Sequence, residues 1–238
     1  MTDHTDALDL AWLRAALTAV ADPSKVDAMR AYMKDIAPFL GVTAADRRHE
    51  QRRFITWART ATGDAAVDAL LDFAEACWAE PEREFQYVAT DMLRAAATRR
   101  DGTMLRQEHL PRVEQLLRAK SWWDTVDSLA AWTVGPMVLA QPALVSTMDE
   151  WIDDDDFWIA RTAILHQLSY GRATDRERLF RYVDRRSADN EFFIRKALGW
   201  ALRQYARVAP DEVRSFVEAR GSRLSGLTRR EALKHLGS

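Results

Sequence analysis

The sequence predicts an all-α chain built as a helical-repeat solenoid, and three observations carry that expectation. Turn and strand signals are scarce: 238 residues hold nine glycines and seven prolines, with no Asn-Gly turn, no Gly-x-Gly cluster and no long β-branched alternation. Ala, Leu, Arg and Glu, the good helix formers, fill the space between. Second, four aromatic-led segments recur. Their first aromatics are Phe85, Trp122, Phe157 and Phe192, separated by 37, 35 and 35 residues, and one further step of 35 reaches Leu227. A regular period in the thirties marks stacked helix pairs, each burying its apolar face only against its neighbours. Third, capping residues fall where the period puts helix starts.

Taken in order, the opening "MTDHTDALDL" is polar and acidic, and no secretory leader is expected from it. "DRRHEQRR" at 46–53 brings four arginines together. "DFAEACWAE" is an apolar helical stretch around Cys77, the single cysteine. One cysteine excludes an internal disulfide framework, and a buried thiol is the expectation. Pro81, Pro111, Pro142 and Pro210 stand where helices begin. Ser121 and Asn190 are placed as N-caps, and Thr228 with Glu231 reads as a capping box. In "APDEVRSFVEAR", Asp211 and Glu212 open and Arg220 closes a helix, which suits its dipole. In "NEFFIRKALGWALRQYA", Phe193, Ala197 and Trp200 share one stripe, while Phe192, Leu198, Leu202 and Tyr205 make other flanks apolar, as a sandwiched helix requires.

Charge is near balance, with 34 basic and 36 acidic residues, so only its distribution bears on a polyanionic partner. The run "DEWIDDDD" at 149–156 holds six acids and no base, whereas residues 214–236 hold six Arg or Lys against Glu218 and Glu231. No apolar run reaches the ~20 residues that span a bilayer. A cytoplasmic, nucleoid-associated protein is expected, with no membrane partner.

Walker, dinucleotide, G-x-S-x-G and H-E-x-x-H motifs are absent. His4, His49, His109, His166 and His235 are scattered, with no ligand partner at helical spacing; His166, within "AILHQL", reads as a core residue. No metal site and no cofactor are expected. What stands out is aromatic. Nine tryptophans are present, and "KSWWDTVDSL" sets Trp123 one helical turn before Asp127. Packing between repeats accounts for tryptophans in general, Trp122, Trp123, Trp158 and Trp200 included. A carboxylate beside an indole, however, is a ready stabiliser of a cation.

Together, "KSWWDTVDSL", "WIARTAILHQL", "EFFIRKALGWALRQYA" and "LSGLTRREALKHL" resemble the AlkD family of DNA alkylation repair glycosylases. "MRAYMKDIAPFLGV" and "PEREFQYVATDML" fit the family's N-terminal half more loosely. The likeness runs over roughly residues 22 to 236, with 1–21 the least well matched part of an expected single α-solenoid domain, 1–238. The resemblance implies HEAT-like repeats with a concave DNA-binding face. It implies hydrolysis of the N-glycosidic bond of cationic N3- and N7-alkylated purines in duplex DNA, without base flipping. It implies Asp127 as catalytic acid residue, flanked by Trp123 and Trp200, and Arg161 and Tyr32 on the DNA. Lys120, Arg47, Arg48, Arg229 and Arg230 are further expected phosphate contacts. Asp127→Asn is expected to leave folding largely intact, and Arg161→Ala to flatten the salt dependence of binding. The partner is alkylated double-stranded DNA, and the protein a monomer. The alternative is a non-catalytic α-solenoid that binds a DNA structure or a protein, with its aromatics as packing.

Overall fold

The structure, a computed structural model, describes residues 8–236; His4 and most of the polar opening stretch lie outside them. Among the described residues there is no β-strand. The helices are α1 (Leu10–Ala19), α2 (Val26–Tyr32), α3 (Ala44–Glu50), α4 (Arg52–Thr60), α5 (Asp64–Ala79), α6 (Arg83–Ala97), α7 (Leu110–Arg118), α8 (Trp123–Leu129), α9 (Gly135–Ala140), α10 (Val145–Trp151), α11 (Phe157–Leu165), α12 (Arg176–Arg185), α13 (Phe192–Tyr205), α14 (Pro210–Arg220) and α15 (Gly226–Leu233). The chain divides into two compact units that part inside α7, between Arg112 and Val113.

In the first unit, α6 is the core helix. It packs on α4 and α5 and buries Phe85, Val88, Ala89, Met92 and Leu93 completely. The wholly buried Glu84 accepts hydrogen bonds from the backbone N–H groups of Leu40, Gly41 and Val42 at 3.0–3.1 Å. That carboxylate gives the turn before α3 the partners it cannot find within a helix.

In the second unit the period becomes architecture. α8, α11, α13 and α15 each pack on the next, and α10, α12 and α14 pack against this row from outside. The aromatics that set the period stand at or beside the starts of α8, α11 and α13. Two glycines make the row close. A Cβ on Gly135 would sit 2.3 Å from the carbonyl oxygen of His166, and one on Gly199 would sit 2.8 Å from that of Thr228. Between α8 and α9 runs a π-helical turn, Ala130–Val134. It inserts an i→i+5 step that resets the helix face between Asp127 and Gly135.

Three expected caps differ. α8 begins after Trp122, and the Ser121 hydroxyl donates backward to the Leu117 carbonyl at 2.6 Å. α13 is capped by Glu191, whose side chain accepts from the Phe193 N–H, rather than by Asn190. α15 is capped by Ser225, three residues before Thr228, whose hydroxyl instead donates to the Arg195 carbonyl of α13. In each case a competing partner one turn away, or on the neighbouring helix, takes the short polar side chain.

The acidic run is absorbed locally. Asp149 accepts from Arg181 and Tyr182 at 2.7 Å, Asp154 pairs with Arg118 at 2.6 Å, Asp153 pairs with Arg185, and Asp156 caps α11. His166 is buried, its Nδ1 2.6 Å from the Ala163 carbonyl, and burial pushes its pKa down to about 4. It is the neutral core histidine the sequence suggests. Cys77 is buried too, and desolvation pushes its thiol pKa up.

Candidate active site

The second unit carries a cleft of about 370 Å³ lined by Trp123, Asp127, Arg161, Phe192, Phe193, Lys196, Trp200 and Arg203. Its residues come from three successive inner helices, α8, α11 and α13. Trp123 and Asp127 are four apart on α8, so both reach the cleft from one face. Trp200 arrives on α13, seven residues after Phe193 and on the same stripe. The structure thus brings together the three residues expected to act on the substrate.

The two adjacent tryptophans separate by role. Trp122 precedes the helix in an extended conformation, φ −158° and ψ 158°. Its ring lies 5.7 Å from that of Trp158 and 5.2 Å from that of Phe193, in an aromatic cluster that Phe157 joins. Trp123, the first helical residue, lines the cleft. One indole packs the repeats and the other faces the site.

Arg161 lines the cleft and has partners of its own within the protein. The expectation placed its guanidinium on a DNA phosphate, but its side chain is only 3 % exposed. It forks onto Asp127, Nε to Oδ1 at 2.7 Å and Nη2 to Oδ2 at 2.9 Å, and its Nη1 donates to the Phe193 carbonyl. One arginine on α11 therefore ties α8 to α13. The bidentate fork fixes the carboxylate plane and leaves its remaining lone pairs toward the cleft. Burial pushes the Asp127 pKa above the ordinary carboxylate value, and the Arg161 hydrogen bonds and charge pull against that rise.

Arg47 also departs from its expected place. Its guanidinium lies 4.7 Å from the Tyr87 ring centroid and 3.3 Å from Asp91, with the side chain 13 % exposed. It is held within the first unit instead of facing solvent, and its burial lowers its pKa. Arg48, Arg229, Arg230, Lys120 and Tyr32 are exposed, Tyr32 to 71 %. Lys120 stands in the left-handed region at φ 52°, in the turn that enters α8.

Four cleft residues were not anticipated: Phe192, Phe193, Lys196 and Arg203. The signal was present, because 196, 200 and 203 repeat at helical spacing around Trp200. Lys196 and Arg203 are both held by Glu231 of α15, Lys196 at 2.7 Å. Lys196 above all, against the opposing effect of burial, draws the Glu231 pKa below its ordinary value. Gly199 lets α15 come near enough for this, since a Cβ there would meet the Glu231 Cβ at 2.5 Å. Because that Cβ would also meet the Thr228 backbone oxygen at 2.8 Å, overpacking in Gly199→Ala should cost about 3 kcal/mol, more than the gain of about 1 kcal/mol in helix propensity. A urea midpoint that stayed the same or rose would overturn this reading of the α13–α15 contact.

Among the described residues no group of three His, Cys, Asp or Glu side chains is placed to hold a metal ion. No single helix among them is long and apolar enough to cross a membrane.

The family model for DNA alkylation repair enzymes matches residues 13–236. A solved structure of a predicted DNA alkylation repair enzyme from Enterococcus faecalis is similar, with a TM-score of 0.79 and 28 % identity over 92 % of this chain and 97 % of that one. The crystal structure of AlkD2 from Streptococcus mutans shares the fold, with a TM-score of 0.60 and 15 % identity over 80 % of this chain and 90 % of that one. No curated protein gives a significant match.

Proposed function

The chain belongs to the DNA alkylation repair enzyme family, and from that premise we propose that it is a DNA glycosylase acting on cationic N3- and N7-alkylated purines in duplex DNA, hydrolysing the N-glycosidic bond. The observation that carries the proposal is the Asp127 carboxylate, clamped by Arg161 and set in a cleft walled by Trp123, Phe193 and Trp200.

An alkylated purine is already positively charged and is a good leaving group, so its departure needs no strong general acid. The barrier lies in the oxocarbenium character that builds on the sugar. A preorganised carboxylate stabilises that charge and orients the attacking water, and the indole faces add attraction for a cation while excluding bulk solvent. Selection follows from the lesion's own charge and weakened bond, so this chemistry does not require the base to be turned out of the helix.

The test is release of free 7-methylguanine and 3-methyladenine from methylated duplex DNA, leaving abasic sites in the strand. Binding of that DNA with no base released would favour the non-catalytic alternative.

A pH profile follows from the direction of the Asp127 shift. The folded chain holds this proton more tightly than the unfolded chain does. The ionised group therefore costs stability above its folded pKa, and that cost disappears once pH falls below the ordinary carboxylate value. Excision runs the other way, because it needs the carboxylate. Single-turnover excision should show an acid limb above the ordinary Asp value of about 3.9. A limb at or below that value would exclude Asp127 as the titrating group.

A further inference from the structure

We propose that Glu231 on α15 is a positioning residue for the Asp127 cleft: it holds the Lys196 ammonium and the Arg203 guanidinium off the Asp127 carboxylate, and so reserves that carboxylate for a cationic substrate. The proposal rests on the reading that the site acts on cationic alkylpurines. Glu231 is not part of the cleft wall, and it acts only through the two side chains it holds.

The cleft has a surplus of positive charge. Three cations line it, Arg161, Lys196 and Arg203, against one carboxylate, Asp127. Arg161 already donates to both Asp127 oxygens. With no acid behind them, Lys196 and Arg203 would leave the site strongly positive. That field repels an alkylated purine and opposes the charge that grows on the sugar. Lysine is also a point charge on a flexible four-carbon stem, free to swing onto a carboxylate that shares its cleft. A second cation on Asp127 would favour its ionised form and spend the attraction that a substrate needs.

The contact between α13 and α15 prevents this. Glu231 gives one oxygen to each cation: Oε1 accepts from Lys196 Nζ at 2.7 Å, and Oε2 accepts from Arg203 Nη1. The glutamate side chain is 13 % exposed, so water and salt screen its pairs less than they screen pairs on an open surface. The approach of the helices is fixed at two points. Gly199 leaves room for the Glu231 Cβ, and the Thr228 hydroxyl donates to the Arg195 carbonyl at 3.0 Å. Along α13, Lys196 stands one turn before Trp200 and Arg203 one turn after it, on the same stripe. One acid therefore governs both cations that flank this indole. The charged groups that face Asp127 are Asp124 on its own helix, Arg161 from α11, and Lys196 and Arg203 from α13. Of these, the α13 pair answers to Glu231.

The experiment compares the wild type, Glu231→Gln and Glu231→Gln/Lys196→Met. Glutamine keeps the size of the side chain and one oxygen acceptor, and methionine keeps most of the lysine stem, so each variant should retain a cooperative thermal transition. The first readout is the Asp127 carboxyl titration in the protein without DNA, followed by its carboxyl-carbon NMR resonance and assigned by its loss in Asp127→Asn. Its midpoint should fall in Glu231→Gln and return toward the wild-type position in the double variant. The second readout is single-turnover excision of 7-methylguanine from methylated duplex. Glu231→Gln should slow it about tenfold, while duplex affinity stays at or above that of the wild type because the variant has one acid fewer. Removing Lys196 should then restore most of the lost rate. A glutamate that only braces the fold gives the opposite pattern, with weaker duplex binding alongside slower excision and a double variant worse than the single one. An Asp127 midpoint that stays put in Glu231→Gln would overturn the proposal, and so would a rate that Lys196→Met fails to restore. If the wild type releases no purine, the glycosylase reading falls, and the Asp127 titration alone decides the role of Glu231.

Discussion

Asp127→Asn should lower excision of 7-methylguanine about 10²-fold or more, the scale of losing a preorganised electrostatic group and equal to about 2.7 kcal/mol of barrier. Asparagine keeps the shape, but it presents an amide N–H₂ where Arg161 Nη2 now finds an oxygen 2.9 Å away. The expectation from sequence was that this change leaves folding largely intact, and the buried fork revises it. One charge-assisted hydrogen bond is lost and an amide N–H₂ is set against the guanidinium; this outweighs the relieved cost of burying an ionised carboxylate, so stability should fall by about 1–3 kcal/mol. The fold survives that loss, because a domain commonly has about 5–15 kcal/mol in hand. Binding of undamaged duplex should be unaffected. Excision at the wild-type rate by a folded Asp127→Asn protein would remove the catalytic assignment and leave the Trp-Trp-Asp stretch as packing.

Arg161→Ala should be strongly destabilising. It strands a carboxylate whose side chain is 15 % exposed and deletes the hydrogen bond to the Phe193 carbonyl. Breaking a buried pair from one side costs about 3–5 kcal/mol. The stranded acid responds by taking a proton, so excision should collapse with the fold still populated, and its acid limb should move to higher pH. Because the guanidinium does not face solvent, the salt dependence of duplex binding should not change. The double variant Arg161→Ala/Asp127→Asn should be more stable than Arg161→Ala alone, and the cycle of four proteins in urea measures the coupling. Additive effects, or a flattened salt slope in Arg161→Ala, would return Arg161 to the role of a phosphate contact.

Much of this architecture can be read in the sequence, because a period near 35 states which helices will be neighbours. Helical spacing sets Trp123 and Asp127 on one face, and the family resemblance is what adds Trp200 to them. The partners of the charged residues are harder to read, since the sign of a side chain does not tell whether it faces solvent or a carboxylate on the next helix. The period does hold part of the answer. Asp127 and Arg161 are 34 residues apart, Lys196 and Glu231 are 35, Arg118 and Asp154 are 36, Asp184 and Arg220 are 36, and Glu75 and Arg112 are 37. Acids and bases one repeat apart tend to meet, and Arg161 could have been assigned to Asp127 on that ground. The caps illustrate the opposite limit. Ser121, Asn190 and Thr228 each had a rival hydrogen-bond partner within one turn or across a helix contact, and short polar side chains choose among near-equal options by fractions of a kilocalorie.

The clamp of Arg161 on Asp127 also limits how this lineage can change. A descendant that drifts away from the acid one residue at a time passes through a less stable intermediate, because either single loss leaves the partner buried without its counter-charge. Escape calls for two substitutions in quick succession, or for a prior gain of stability elsewhere that tolerates the intermediate. Homologues that have given up the carboxylate should therefore have given up the arginine as well, with apolar or neutral hydrogen-bonding residues in both places. Those that keep one should keep the other.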